Sequence, residues 1–185
     1  FEMTHGKPKL LEGMKEAFLQ NRVISSIAGE FDHKSVWELF TNPEFIHHFS
    51  LRQRQLFRKH VLWTRLIWDR RTTDVKGRSM ELASYIRQNR ETLVIKPNRL
   101  YGGEGVVFGH QVSQSQWERY LDKTFRKPST YVVQQAVQVH AELFPVAFAN
   151  GQVRLEPYYI VTGFAVTRDG MAVLGRASKE SVVNV

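Results

Sequence analysis

Apolar residues recur at a helical period in the first half of the chain and at a strand-like period in the second, with the change near residue 91. Leu10, Leu11, Met14, Ala17 and Phe18 keep helical spacing behind Pro8, a residue tolerated in a first helical turn, and predict a helix over 8–20. Residues 22–27 read as a short buried strand. Asp32 is placed to cap a helix carrying Val36, Trp37, Leu39 and Phe40 on one face, which Asn42-Pro43 ends. A second helix is expected over 50–60, a strand over 62–67, a polar loop around Gly77 over 74–78, and a helix over 80–89 with Leu82, Ala83, Tyr85 and Ile86 apolar.

Beyond residue 91 the pattern is β-rich. Thr92-Leu93-Val94-Ile95-Lys96 is a strand closed by Pro97, and Gly102-Gly103-Glu104-Gly105 is a tight loop. Val106-Val107-Phe108 follows as the partner strand of a hairpin-like pair. Ser113 caps a helix to Phe125 with Trp117, Tyr120 and Leu121 inward, and residues 130–137 form the next strand. Strands near 142–149, 152–166 and 171–176 are joined by turns at Asn150-Gly151 and Arg168-Asp169-Gly170.

Composition adds limits. With 42% apolar and 12% aromatic residues the chain can build a core rather than remain disordered. No apolar run reaches the ~20 residues of a membrane span, and no secretory signal is visible, so no membrane partner is expected. Cysteine is absent, which excludes disulfides, thiolate metal sites and a cysteine nucleophile and fits a cytoplasmic protein. The net charge of +8 favours anionic partners. The chain opens on Phe1 and closes on an apolar run, Ser181 to Val185, so both ends are expected to be cuts through a larger protein.

The chemistry centres on the glycine loop. Glycines let backbone N–H groups approach phosphate oxygens with no Cβ in the way, and Lys96 just before the loop offers a point charge to the same phosphates. A Gly-Gly-x-Gly turn alone is more often a plain hairpin, and this one is neither a dinucleotide fingerprint nor a P-loop. The order of elements is more specific: a strand ending in lysine, a glycine loop, a strand, a helix with tryptophan, then a strand ending in Gln134-Gln135. On Leu93-Val94-Ile95-Lys96-Pro97, Tyr101-Gly102-Gly103-Glu104-Gly105 and Tyr131-Val132-Val133-Gln134-Gln135-Ala136-Val137, the chain resembles the ATP-grasp superfamily. It is most similar in pattern to the circularly permuted bacterial members, the glutathionylspermidine synthase-like ligases. Asp32-His33-Lys34 resembles the family's upstream lysine.

The resemblance implies an α+β ATP-grasp fold, an antiparallel sheet with packed helices. Residues 1–90 would be a mostly helical core or linker part, 91–149 the lid, and 150–185 closing core strands. Lys34 and Lys96 would hold the ATP phosphates from two sides, while Tyr101, Gly102, Gly103 and Gly105 close over them. Gln134, Gln135 and Val137 would form the adenine hinge, Glu142 would take the ribose hydroxyls, and Arg176 would stabilise charge on the transferring γ-phosphate. The family's acid at the second hinge position is replaced here by Gln135. Magnesium is expected with ATP, and Asn184 and Glu156 are the candidates to hold it. Ser25-Ser26 sits where related chains carry an asparagine. The implied reaction joins a small carboxylate to an amine through an acylphosphate. A degenerate nucleotide-binding scaffold is the first alternative.

A basic nucleic-acid-binding module is the second alternative. Arg52, Arg54, Arg58, Lys59, Arg65, Arg70 and Arg71 are interleaved with Phe57, Trp63 and Trp68, a mixture that can hold single strands. An amphipathic helix and strand with aromatic core and solvated arginines explain the same pattern, and this reading is preferred. His47, His48 and His60 do not recur at zinc-ligand spacing.

Overall fold

The computed structural model describes residues 8–20, 22, 33–100 and 102–180. The strand expected over 22–27 (but for Arg22), the cap at Asp32, Ser25-Ser26, Tyr101, and the closing run with Asn184 lie outside the described residues. The described chain is α+β, with antiparallel sheets and a few helices.

Helix α1 spans Pro8–Leu19. Helix α2 is a single turn, Val36–Leu39, so the longer helix expected here is cut short. The reason is a clamp: the backbone N–H of Lys34 donates to the Asn98 carbonyl at 3.0 Å, and that of Ser35 to Asn98 Oδ1 at 2.8 Å. Asn42 then caps α3, Pro43–Ile46, by accepting from the Glu44 N–H at 3.2 Å, with Pro43 at a first-turn position. That short helix was not anticipated. Helix α4, Leu51–His60, starts on a reciprocal cap between Ser50 and Gln53.

Strands β1 (Thr64–Leu66), β4 (Leu93–Pro97), β5 (Val107–Phe108) and β6 (Tyr131–Gln135) form one antiparallel sheet in the order β1-β6-β4-β5. The sheet thus draws strands from both sides of residue 91. The expected pairing around the glycine loop is present, with Val94 opposite Phe108 and Ile95 opposite Val107. Between β1 and β4 lies a hairpin that the loop reading of 74–78 missed, β2 (Arg71–Thr73) with β3 (Ser79–Glu81). Asp74 closes its turn by accepting N–H bonds from Lys76 and Arg78, each at 2.8 Å. Helix α5, Leu82–Gln88, begins after β3 is used, two residues later than expected.

Side chains alternate across this sheet. One face carries Leu93, Ile95 and Val133 against Leu82 and Ile86 of α5 and Trp117 and Leu121 of α6, Gln114–Phe125, all essentially inaccessible. The open edge of β1 has backbone groups that no strand pairs, and side chains take them. Glu38 Oε2 accepts from the Leu66 N–H at 2.7 Å and Thr41 Oγ1 from the Thr64 N–H at 3.3 Å. Arg70 donates to the Leu66 carbonyl at 3.0 Å and pairs with Glu38 at 2.7 Å.

A second sheet follows in the order β7-β8-β9, with β7 Glu142–Ala147, β8 Val153–Val166 and β9 Met171–Ser178. These strands and their turns fall where the pattern placed them. Most of their residues are exposed and none is buried.

Candidate functional site

The face of the first sheet opposite α5 and α6 carries Thr64, Gln134 and Lys96 side by side, since Thr64 and Val94 both register with Gln134 and Lys96 lies two residues beyond Val94. Lys96 interrupts a strand whose other four residues are buried. Its Nζ donates to Gln134 Oε1 at 2.7 Å. Gln134 Nε2 donates to Thr64 Oγ1 at 2.9 Å, and Thr64 Oγ1 to the Leu62 carbonyl at 3.0 Å. This chain of bonds fixes the amide so that its oxygen points at the ammonium. Gln134, expected as an adenine contact, holds Lys96 in place through its side chain.

Lys34 reaches the same place from 62 positions upstream. Asn98 pins its turn to the end of β4, and its Nζ donates to the Leu100 carbonyl, the last described residue before the glycine loop. Burial holds the Lys96 ammonium below the ordinary lysine pKa, and the like charge of Lys34 lowers it further. The two cations therefore share one electrostatic neighbourhood, and the hydrogen bonds they make go to neutral oxygens. Such a pair gains from an anion between or beside the two charges.

The glycine loop starts two residues after Leu100, whose carbonyl Lys34 holds, and its Gly105 end packs on Pro97 and Tyr120 on the α6 side of the sheet. Gly102, Gly103 and Gly105 have φ of 64°, 75° and 66°, left-handed values that side chains with a Cβ rarely adopt. A Cβ on Gly105 would stand 2.8 Å from Pro97 Cγ, so the loop closes directly over the residue after Lys96. Tyr120 of α6 ties the loop down, donating to the Gly105 carbonyl at 2.7 Å. Burial and the neighbouring Tyr131 push the Tyr120 phenol up to about 12, which keeps it a donor.

The structure thus brings together Lys34, Lys96 and Gln134, with the glycine loop reached from the same strand end but anchored on Pro97 and Tyr120. Gln135 ends β6 with its N–H on the Trp63 carbonyl at 2.9 Å and stands on the α5–α6 side of the sheet. Val137 is exposed just past β6. Glu142 and Arg176 are exposed on β7 and β9, opposite Tyr158 and Val161, and the hydrogen bonds and ion pairs of 142–180 among the described residues stay within that segment. Glu156 is held by Lys179 at 2.6 Å. Among the described residues no three His, Asp or Glu side chains gather as a metal site. Asn98, Thr64 and Tyr120 were not anticipated. The position of Asn98 straight after Lys96-Pro97 is the signal that could have found it; Thr64 and Tyr120 are set by tertiary pairing and have no local signature.

No protein-family profile and no curated protein matches the chain.

Proposed function

We propose that this chain binds the phosphates of ATP between Lys34, Lys96 and the 102–105 loop, as an ATP-grasp-like carboxylate–amine ligase. The observation that carries this reading is the convergence of two lysines, 62 residues apart in sequence, at the strand end from which a loop of left-handed glycines departs. Lysine ammonium groups suit phosphate as compact charges, and glycine N–H groups can approach its oxygens closely. Desolvation of Lys96 is a cost in the free protein that a bound polyphosphate offsets.

The ligase chemistry is the familiar two-step one. A substrate carboxylate oxygen attacks the γ-phosphorus of ATP, ADP leaves, and an acylphosphate forms. An amine then adds to the acyl carbon, phosphate departs, and the amine loses a proton to give the amide. The protein's part in such a reaction is to orient the phosphates and stabilise their charge, which Lys34 and Lys96 are placed to do. Among the described residues no three His, Asp or Glu side chains gather and Glu156 is ion-paired with Lys179, so no preformed magnesium site stands out there. The roles proposed for Glu142 and Arg176 rest on the resemblance alone.

The test is calorimetric titration of the chain with Mg-ATP, followed by measurement of ADP and phosphate release with candidate acids and amines. Binding that Lys96→Ala weakens at least about tenfold supports the nucleotide site. No binding, or wild-type binding by Lys96→Ala, rejects it. Binding without turnover assigns the chain to the non-catalytic scaffold instead.

A further inference from the structure

A cavity of about 480 Å³ lies away from the lysine pair, between α4, the α2–α3 turn and the β2–β3 hairpin. That volume is in the range of small-molecule sites, roughly 300–1,000 Å³. Its apolar walls combine Pro43, Ile46, Val61 and Val75 with three aromatic rings: Phe40 and Phe57 pack with ring centroids 4.7 Å apart, and Trp63 borders the same space. Arg54, Arg58 and Lys76 line it as well. The one acid in the lining, Asp74, is already neutralised by Arg78 at 2.7 Å and by two backbone N–H groups.

A fourth cation stands behind the wall. Arg65 is wholly buried, with its Cζ 5.0 Å from the centre of the Trp63 ring. Its guanidinium donates to hydroxyl or carbonyl oxygens of Thr41, Thr64, Thr72 and Thr73, all neutral. Burial lowers its pKa to about 10 although Glu38 nearby raises it and Arg70 lowers it. Thr41 and Thr73, which hold Arg65, also form the cavity wall. A guanidinium on neutral partners leaves a positive potential on the far side of those threonines.

We propose that this cavity is a second ligand site, one that takes a small aromatic anion. The ring of the ligand packs among Phe40, Phe57 and Trp63, where flat apolar surface gains most from burial. Its carboxylate or phosphate meets Arg58, Arg54 and Lys76 at the mouth, with Arg65 adding attraction from behind. The proposal does not rest on the nucleotide reading: none of these residues hydrogen-bonds to Lys34, Lys96 or the glycine loop, and Arg65 meets the Lys96 network only through Thr64.

The test titrates phenyl phosphate into the full chain and follows the Trp63 indole N–H by NMR; that group donates to the Thr73 carbonyl at 2.8 Å in the cavity wall. The Trp117 indole, bonded to the Ile86 carbonyl at 3.1 Å in the core, reports that the fold is intact. A saturable shift of Trp63 is expected, weakened at least about tenfold in the Arg58→Ala, Lys76→Ala double variant and unchanged in Lys96→Ala. Both substituted side chains are exposed, so the variant folds. The proposal is overturned if Trp63 shows no saturable shift, if the double variant binds as well as wild type, or if Lys96→Ala abolishes the effect. An equal response to inorganic phosphate would also overturn it, because the aromatic walls would then contribute nothing.

Discussion

The two larger sheets are built from similar residues and have opposite fates. In β4 and β6, Ile95 and Val133 are fully inaccessible, while in β8 and β9 Phe164 and Leu174 are 64% and 72% exposed. Both sheets are antiparallel and carry some apolar residues on each face. In the first, α5 and α6 cover one face and side chains from Glu38, Thr41 and Arg70 close the open edge. Strand-forming composition therefore specifies pairing, and burial depends on what else packs against the strand. Only in a buried strand does a lone polar residue carry information, because only there does its desolvation need a reason. Lys96 stands out in β4 on that ground, and Arg176 in the exposed β9 does not.

The contrast is broken or sharpened first by deletions. Trp117→Ala removes the largest fully buried side chain and should cost about 3–5 kcal/mol in urea unfolding. Glu38→Ala strands the Arg70 guanidinium, whose side chain is only 13% exposed, and should cost about 3–5 kcal/mol. Phe164→Ala in β8 should cost under about 1 kcal/mol. Equal losses for Trp117→Ala and Phe164→Ala would erase the distinction between the sheets.

The loop comes next. Alanine at Gly105 meets Pro97 and an unfavourable φ together, so it should cost about 2–3 kcal/mol. At Gly102 the space is open and only the left-handed backbone resists, at about 1–2 kcal/mol. Thermal unfolding of the two variants ranks them, and a smaller loss at Gly105 would deny the loop its contact with the lysine strand.

A pH effect follows from Lys96. Its folded pKa is depressed, so the charged form is penalised in the native state at neutral pH. That penalty fades as pH rises through the folded value towards the unfolded value of 10.5. The urea midpoint of wild type relative to Lys96→Met should therefore climb across that alkaline window, and a flat difference would mean an unperturbed lysine. The smallest effect belongs to the Arg71–Glu81 pair, with side chains 68% and 48% exposed, where Arg71→Ala should change stability by about 0.5 kcal/mol or less.

Much of this was legible in the order of residues. The β4–β5 pairing, the capped helix from Ser113, and the three C-terminal strands follow from periodicity and turn residues acting over a few positions. Lys34, Lys96 and the glycines were legible as candidates through resemblance, and the structure sets the two lysines near one another. What was missed is long-range. The one-turn α2 is cut short by Asn98, and the β2–β3 hairpin depends on an Asp74 turn that reads locally as loop. The binding of Gln134 to Lys96 joins residues 38 positions apart, which no local pattern encodes.

The claim that Lys34 and Lys96 form one anion site is tested most directly by the Lys96 pKa, followed by NMR of its Nζ and Cε. It should lie below the ordinary lysine value, rise when Lys34 is replaced by methionine, and rise again when ATP binds the wild-type chain. A normal pKa that neither the Lys34→Met change nor ATP moves would contradict it.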